Sequence, residues 1–217
     1  MILETCVESF KEAEEACRRG TDRIELCSRL DLDGLTPSPE LIRKVCRELT
    51  IPVNVMIRPR AGHFVCSPEE IERMKEEIVI AKKSGASGIV FGLLTPDAQI
   101  DVDNCILLAA VSSPLPVTFH KAIDQLSDPV TGVRQLKNIP GIARILTSGG
   151  KPTAREGAER EMREEEALQD EQARLSTGKP TKKHKQQTYN VKVTKKKTTV
   201  KAVTLPSVVW ALPPLKI

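Results

Sequence analysis

Two thiols and two carboxyl groups stand inside short apolar segments near the start of the chain, where buried strands are expected. Glu4 and Cys6 are two residues apart in the first segment, and Glu25 and Cys27 are two residues apart in the second. Because side chains alternate between the faces of a strand, each pair is expected on one face. Buried carboxylates are costly unless paired, and thiolates favour Cu(I) or Zn. These positions suit acid–base chemistry or a soft-metal site, and cysteines buried without a ligand are the plainer alternative.

Further polar side chains follow at the ends of later apolar segments. They are Arg58, His120, Asp124, Thr147 and Ser148. We expect Arg58 and His120 to pair with the two carboxyl groups. One interpretation is an inward polar cluster at the mouth of a barrel that binds a small anionic or polar ligand, and such a cluster would suit acid–base work. The other interpretation is a structural network of ion pairs in the core of the barrel.

Two other features are weaker signals for a ligand. The turn at 147–150, Thr-Ser-Gly-Gly, could offer backbone N–H groups to a phosphate, or it is only a tight turn. His63 and Cys66 lie three residues apart in one loop. Neither their spacing nor that of Cys6 and Cys27 is a recognised metal-ligand spacing.

The elements that would position these residues are strands and helices in strict alternation. An apolar strand followed by a helix recurs six times, which predicts βα units and a parallel sheet. The predicted strands are 2–7, 22–28, 52–59, 88–94, 116–123 and 142–149. The predicted helices are 9–20, 39–49, 68–85, 103–113 and 129–138, and a sixth begins at Thr153. A closed barrel of this type has eight such units, so the sequence predicts a TIM-barrel-like α/β fold with about six of the eight.

Charge is distributed unevenly along the chain. From Gln172 onward there are eleven Lys or Arg and no acidic residue, whereas the preceding residues hold 22 basic and all 29 acidic side chains. Residues 176–201 are lysine-rich and of low complexity, which predicts a disordered, solvated extension. Such a run can also contact nucleic-acid phosphates, but with one Tyr and one Trp it offers no platform for stacking bases. The apolar end, 202–217, is expected either to dock on a sheet edge or to hang free.

The cysteine pattern and the first residues bear on the compartment. The six cysteines include no CxxC motif, which is typical of a cytosolic protein with reduced thiols. Five glutamates fall within the first fifteen residues, without the basic start of a signal peptide. No stretch of about 18 apolar residues is present to span a membrane. We therefore expect a cytoplasmic protein, with the lysine cluster as a weak signal for the nucleus.

Four segments together resemble the CutC copper homeostasis family. They are 22–38, 52–67, 116–124 and 143–150, and they occur in the order and spacing of the family. The resemblance implies a TIM-barrel-like fold, a cytoplasmic protein, copper handling with Cu(I) binding, and a homo-oligomer. The positions that match the polar pocket of the family are Glu4, Glu25, Arg58, His120, Asp124, Thr147 and Ser148. Cysteine ligation of copper is expected at Cys6 and Cys27.

The resemblance ends after residue 158. Members of the family continue with two more strands, whereas 159–175 is a highly charged helical segment followed by the lysine-rich tail. We therefore divide the chain into a partial (β/α) barrel, 1–158, and a divergent region, 159–217, and we expect two open parallel sheet edges.

Three functions remain open at this point. The first is a copper homeostasis protein that binds Cu(I). The second is an enzyme for a small anionic substrate, with Glu4 or Glu25 as the acid or base and Arg58 holding the substrate. The third is a non-catalytic protein that contacts nucleic acid or an acidic partner through its basic tail.

Overall fold

The computed structural model describes residues 2–151, 156–157, 204–205 and 208–210. In this part of the chain, strands and helices alternate as the sequence predicts. The first six strands are β1 (Glu4–Val7), β2 (Arg23–Leu26), β3 (Val53–Met56), β4 (Gly88–Phe91), β5 (Val117–Phe119) and β6 (Ile142–Thr147). The α-helices between and beside them are α1 (Phe10–Arg18), α2 (Pro39–Glu48), α3 (Pro68–Lys83), α4 (Val102–Ser112) and α5 (Pro129–Lys137).

These six strands form one parallel sheet in which each strand pairs with the next along the chain. A helix follows each of the first five strands and returns the chain to the same end of the sheet. This arrangement is the curved wall of a (β/α) half-barrel, so the predicted fold class is confirmed.

Two short strands from the end of the chain extend the sheet beyond β6. Of these, β7 (Thr204–Leu205) runs antiparallel to β8 (Val208–Trp210), and β8 runs parallel to β6. The prediction of an open edge at β6 was therefore wrong, because the described strands of the apolar end pair with the sheet there. The helix predicted from Thr153 is described only at 156–157, which is helical, and residues 159–201 lie outside the described part.

The outer face of the sheet is apolar and lies beneath the helices. Its fully buried side chains include Ile24, Leu26, Val55, Ile89, Phe91, Val117 and Phe119. The helices contribute an aliphatic stripe to the same core, with Ala13, Ile42, Val45, Ile71, Met74, Ile78 and Leu108. Each large aliphatic side chain buried here contributes about 1.5–3 kcal/mol. Because the helices cover only this outer face, the alternate residues of each strand must point to the concave side.

Local hydrogen bonds set where the elements begin and end. Ser9, Ser38, Ser67 and Asp128 cap α1, α2, α3 and α5, each accepting a backbone N–H with its side-chain oxygen. The fifth strand is shorter than predicted because the chain turns into a 3₁₀ helix, Lys121–Gln125, directly after His120. Among the described residues, no helix combines the length and the apolar character needed to cross a bilayer.

We expect Lys82→Met to lower the free energy of unfolding by about 1–2 kcal/mol. The Lys82 amine on α3 donates hydrogen bonds to the carbonyls of Val111 and Ser113 at the end of α4, and no intrahelical donor replaces it there. Urea unfolding of the variant against the parent protein measures the loss. Lys83→Met is the matched control, because Lys83 is exposed. Equal stability of the two variants would contradict the assigned role of Lys82.

Candidate functional site

The concave face of the sheet carries polar side chains in register across the first strands. Cys6 on β1 is level with Glu25 on β2, which is in turn level with Asn54 on β3. Cys27 lies two residues beyond Glu25 and therefore shares its face. These side chains lie in the concave interior because the outer face of the same strands is fully occupied by the aliphatic core.

Glu25 lies between two thiols. The Cys6 Sγ donates to Glu25 Oε1 at 3.4 Å, and the Cys27 Sγ donates to the same oxygen at 3.8 Å. Burial, followed by the nearby Glu4 carboxyl, raises the pKa of Glu25 to about 8. Burial and then the charge of Glu25 raise the pKa of both thiols well above their ordinary value. All three groups are therefore held largely in their protonated forms at neutral pH.

Glu4 lies at the amino-terminal end of its strand, away from the mouth at which the sequence placed it. Its carboxylate forms a buried ion pair with Arg23 and accepts a second hydrogen bond from the Asn54 amide at 3.3 Å. The predicted pairing of the carboxyl groups with Arg58 and His120 was therefore wrong for Glu4, and also for Glu25, which the Cys6 and Cys27 thiols contact instead. The reason is register, since Arg23 is level with Glu4 on the adjacent strand whereas Arg58 follows the far end of β3.

Arg58 holds loops together at the carboxyl ends of the strands. Its guanidinium donates to the carbonyls of Leu32, Gly34 and Gly62 at 2.9, 3.2 and 2.9 Å, and it lies over the Phe64 ring. Its backbone N–H also binds the Thr36 hydroxyl. Most of the donors that a carboxylate or phosphate would need are thus already used by the protein. Of the three nitrogen atoms of this guanidinium, Nε is the one that is buried without an acceptor among the described residues.

His120 is buried and neutral. Its Nδ1 accepts the backbone N–H of Ala122 at 3.2 Å, so the proton lies on Nε2, and its ring packs on Phe64 with centroids 4.8 Å apart. Burial, and then the charge of Arg58, lower the pKa of His120 to about 3. An imidazole of this kind can donate a hydrogen bond but cannot serve as a proton acceptor near neutral pH.

The Asp124 carboxylate binds the turn at 147–150, where the sequence suggested a phosphate site. Its carboxylate accepts hydrogen bonds from the Thr147 hydroxyl at 2.5 Å, from the Ser148 backbone and hydroxyl at 2.9 and 3.0 Å, and from the Gly150 N–H at 3.0 Å. The backbone N–H groups of this turn are therefore satisfied by a side chain of the protein itself. The tight-turn alternative describes this turn, and phosphate binding in it would require displacement of Asp124.

The candidate residues named from the sequence thus separate into Glu4, which pairs with Arg23, and three further groups. The Cys6–Glu25–Cys27 group lies inside the half-barrel, the Arg58–His120 group lies at its mouth, and Asp124 binds the Thr147–Ser148 turn beside them. Sequence reasoning missed three interior residues, Arg23, Asn54 and Arg144, although alternation along their strands would have placed them on the inner face.

Arg144 is an unusual member of the interior. Its Nε donates to the Thr118 hydroxyl at 2.9 Å, and burial followed by the positive charge of Arg23 lowers its pKa. In the described part of the chain, the Nη2 atoms of Arg23 and Arg144 and the Oε2 atom of Glu25 are buried without a hydrogen-bond partner. Such atoms are costly in a protein interior. The interior therefore has unused capacity for polar or charged contacts.

The thiol pair is a candidate metal site with two ligands. Over the described residues, no three Cys, His, Asp or Glu side chains are placed to hold one metal ion. Cys6 and Cys27 nevertheless present two soft donors around a single carboxyl oxygen. Soft sulfur donors of this type suit Cu(I).

The fold and this interior define a (β/α) half-barrel protein with paired thiols and charged groups inside. Comparisons with known proteins give the family. The CutC family model matches residues 1–177, and the chain therefore belongs to the CutC family. The chain is 49% identical over 156 residues to the human protein named copper homeostasis protein cutC homolog, covering 72% of this chain and 57% of that protein.

Bacterial relatives agree with this assignment. A CutC family protein of Pasteurella multocida is 45% identical over 157 residues, covering 72% of this chain and 64% of that protein. A crystal structure of CutC from Streptococcus agalactiae superposes with a TM-score of 0.69 at 33% identity, covering 74% of this chain and 80% of the other. The chain matches about 57–64% of the length of these curated relatives. The predicted family is thus confirmed, together with its link by name to copper homeostasis.

We expect His120→Asn to flatten the dependence of stability on pH. The folded-state pKa of about 3 lies below the unfolded value of about 6.5, so the unfolded chain takes up the proton first as the pH falls. Stability from this group is complete above pH 6.5 and is lost as the pH falls towards 3. Between about pH 7.5 and about pH 5 the loss is about 2 kcal/mol, and the asparagine oxygen can still accept the Ala122 N–H.

Denaturant unfolding of the parent and the variant at the two pH values measures this difference. His63→Asn is the control, because His63 lies exposed in a loop. The same loss of stability in the parent and in His120→Asn would show that this imidazole is not held neutral by burial.

We expect Asp124→Asn to lower the free energy of unfolding by about 2 kcal/mol. The amide keeps one acceptor but leaves N–H or O–H donors around Ser148 and Gly150 without a charged partner. Thermal or urea unfolding measures the change, with Asp103→Asn on the exposed start of α4 as the control. If both variants lost equal stability, the carboxylate would not be holding the turn.

Proposed function

We propose that this chain is a copper homeostasis protein that binds Cu(I) through the sulfur atoms of Cys6 and Cys27. The observation that carries the proposal is the approach of both thiols to one buried oxygen of Glu25, at 3.4 and 3.8 Å. Family membership supplies the connection with copper. Two sulfur donors suit Cu(I), which accepts as few as two ligands.

Charge in the interior supports the same assignment. Binding replaces the two thiol protons with one monovalent cation, so the two thiolates and Cu(I) together carry one negative charge. Arg23 and Arg144 lie in the same interior, where their charges act on Glu4 and on each other. Their positive charges would offset the negative charge of the group formed by the two thiolates and Cu(I), which is otherwise costly to bury.

The proposal includes the cytoplasm as the compartment and a homo-oligomer as the assembly. The cytoplasmic part is supported by the six cysteines, all of which are free thiols, because a reducing compartment preserves thiols for Cu(I). The homo-oligomer rests on family resemblance. Contact with nucleic acid would involve the basic tail, which lies outside the described residues.

A second candidate function is an enzyme for a small anionic substrate. The observation that favours it is Glu25, whose raised pKa of about 8 leaves a proton available near neutral pH. Arg58 offers one buried N–H, at Nε, to a ligand at the mouth. Loss of turnover in Glu25→Gln with copper binding retained would favour this function over the first.

Anaerobic Cu(I) titration against a competing chelator tests the copper proposal. We expect Cys6→Ser and Cys27→Ser each to remove about one equivalent of tightly bound Cu(I), because a serine hydroxyl is a poor ligand for a soft metal. Circular dichroism of the same samples establishes that the variants are folded.

Cys17→Ser is the control, because Cys17 lies on α1 outside the interior. A full complement of tightly bound Cu(I) in both Cys6→Ser and Cys27→Ser would exclude the interior thiols as ligands.

A further inference from the structure

A second pair of sulfur atoms lies at the opening of the half-barrel, outside the Cys6–Glu25–Cys27 group. The Cys66 Sγ is 4.0 Å from the Met74 Sδ, and both residues line a small cavity with Arg58, Phe64 and Leu93. Met74 is 1% exposed, whereas Cys66 is only partly buried. The pair therefore joins a buried thioether to a thiol that borders the cavity.

Arg60 fixes the conformation of the loop that carries Cys66. Arg60 binds Glu70 of α3 at 2.5 Å and donates to the carbonyls of His63 and Val65 at 3.0 and 2.7 Å. These bonds fold the loop after β3 back onto the first turn of α3. As a result, Cys66 just before α3 is held over Met74 in its second turn.

The cavity is too small for a metabolite but large enough for an ion. It has room for about one water molecule. Two metal–sulfur bonds of about 2.3 Å each can span a sulfur–sulfur distance of 4.0 Å in a bent arrangement. The distance between the two sulfur atoms is thus compatible with one metal ion bound to both.

We propose that Cys66 and Met74 form a second binding site for a soft monovalent metal ion, Cu(I), separate from Cys6 and Cys27. Thiolate and thioether sulfur are the protein ligands that favour this ion. On binding, a sulfur–metal bond replaces the S–H bond of Cys66 and the proton passes to solvent, with no change of oxidation state. The thiolate and Cu(I) together are neutral, which suits a cavity that already borders the Arg58 guanidinium.

This proposal extends copper binding to a second place and does not depend on the first. Cys66 is partly buried and borders the cavity at the mouth, so this second place lies outside the interior that holds Cys6 and Cys27. Burial, followed by the charge of Glu70, raises the pKa of Cys66 to about 11, and the positive charges of Arg60 and Arg58 only partly oppose this rise, so the metal ion must displace the thiol proton.

The test is anaerobic Cu(I) titration in the Cys6→Ser/Cys27→Ser background, with chelator competition. We expect about one equivalent to remain there, to be lost on adding Cys66→Ser, and to be weakened at least about tenfold by Met74→Leu, which nearly conserves volume. Cys46→Ser is the matched control. Burial raises the pKa of Cys46 to about 11, the same value as for Cys66, but no methionine sulfur contacts it among the described residues.

A measurement on the unsubstituted protein accompanies the titration, so the result does not depend on the variants folding. Ag(I), a redox-inert soft monovalent ion, should protect Cys66 from alkylation at one equivalent per site, as read by peptide mass spectrometry, and should leave Cys46 reactive.

The outcomes separate the two copper sites. Absence of Cu(I) from the Cys6→Ser/Cys27→Ser protein, survival of its remaining equivalent after Cys66→Ser, or no effect of Met74→Leu would overturn the second site. A remaining equivalent that disappears with Cys66→Ser, in a protein whose total never depended on Cys6 or Cys27, would support the second site and reject the first.

Discussion

Each strand of the half-barrel has one face buried beneath helices, and this constraint governs where the charged side chains of the sheet lie. Residues of one parity, such as Ile24, Val55 and Ile89, belong to the aliphatic core and leave no room there for charge. Residues of the other parity must face the concave interior. Carboxyl, guanidinium and thiol groups are therefore gathered on one surface by the geometry of the strand.

The carboxyl, guanidinium and thiol groups on this concave surface are close together, and they are also buried. Glu25 keeps its proton because a charged carboxylate would lie in a poorly solvated interior beside Glu4, whereas Glu4 is paired with Arg23. The two thiols next to Glu25 remain protonated for the same reason. A soft metal ion displaces the thiol protons when it binds, which a neutral ligand does not do. The proposed copper function rests on this difference.

Loops at the mouth are held by side chains that, in the sequence, look like ligand-binding groups. Arg58 donates to three backbone carbonyls, and Asp124 accepts from the turn that follows β6. Arg60 orders the loop that carries Cys66. These bonds satisfy backbone groups that have no partner within a strand or helix. They determine the shape of the mouth.

The sequence by itself determined the alternation of strands and helices, the helix caps, the parallel sheet and the family, because periodicity and capping are local properties of the chain. It also identified the thiol and carboxyl pairs, since residues two apart share a strand face. Only the tertiary structure decided that Glu4 pairs with Arg23, that Asp124 fills the turn at Thr147, and that Cys66 meets Met74. Those partners depend on strand register and on loop folding, which bring together residues that are far apart in the sequence. The spacing of residues along the chain does not specify such contacts.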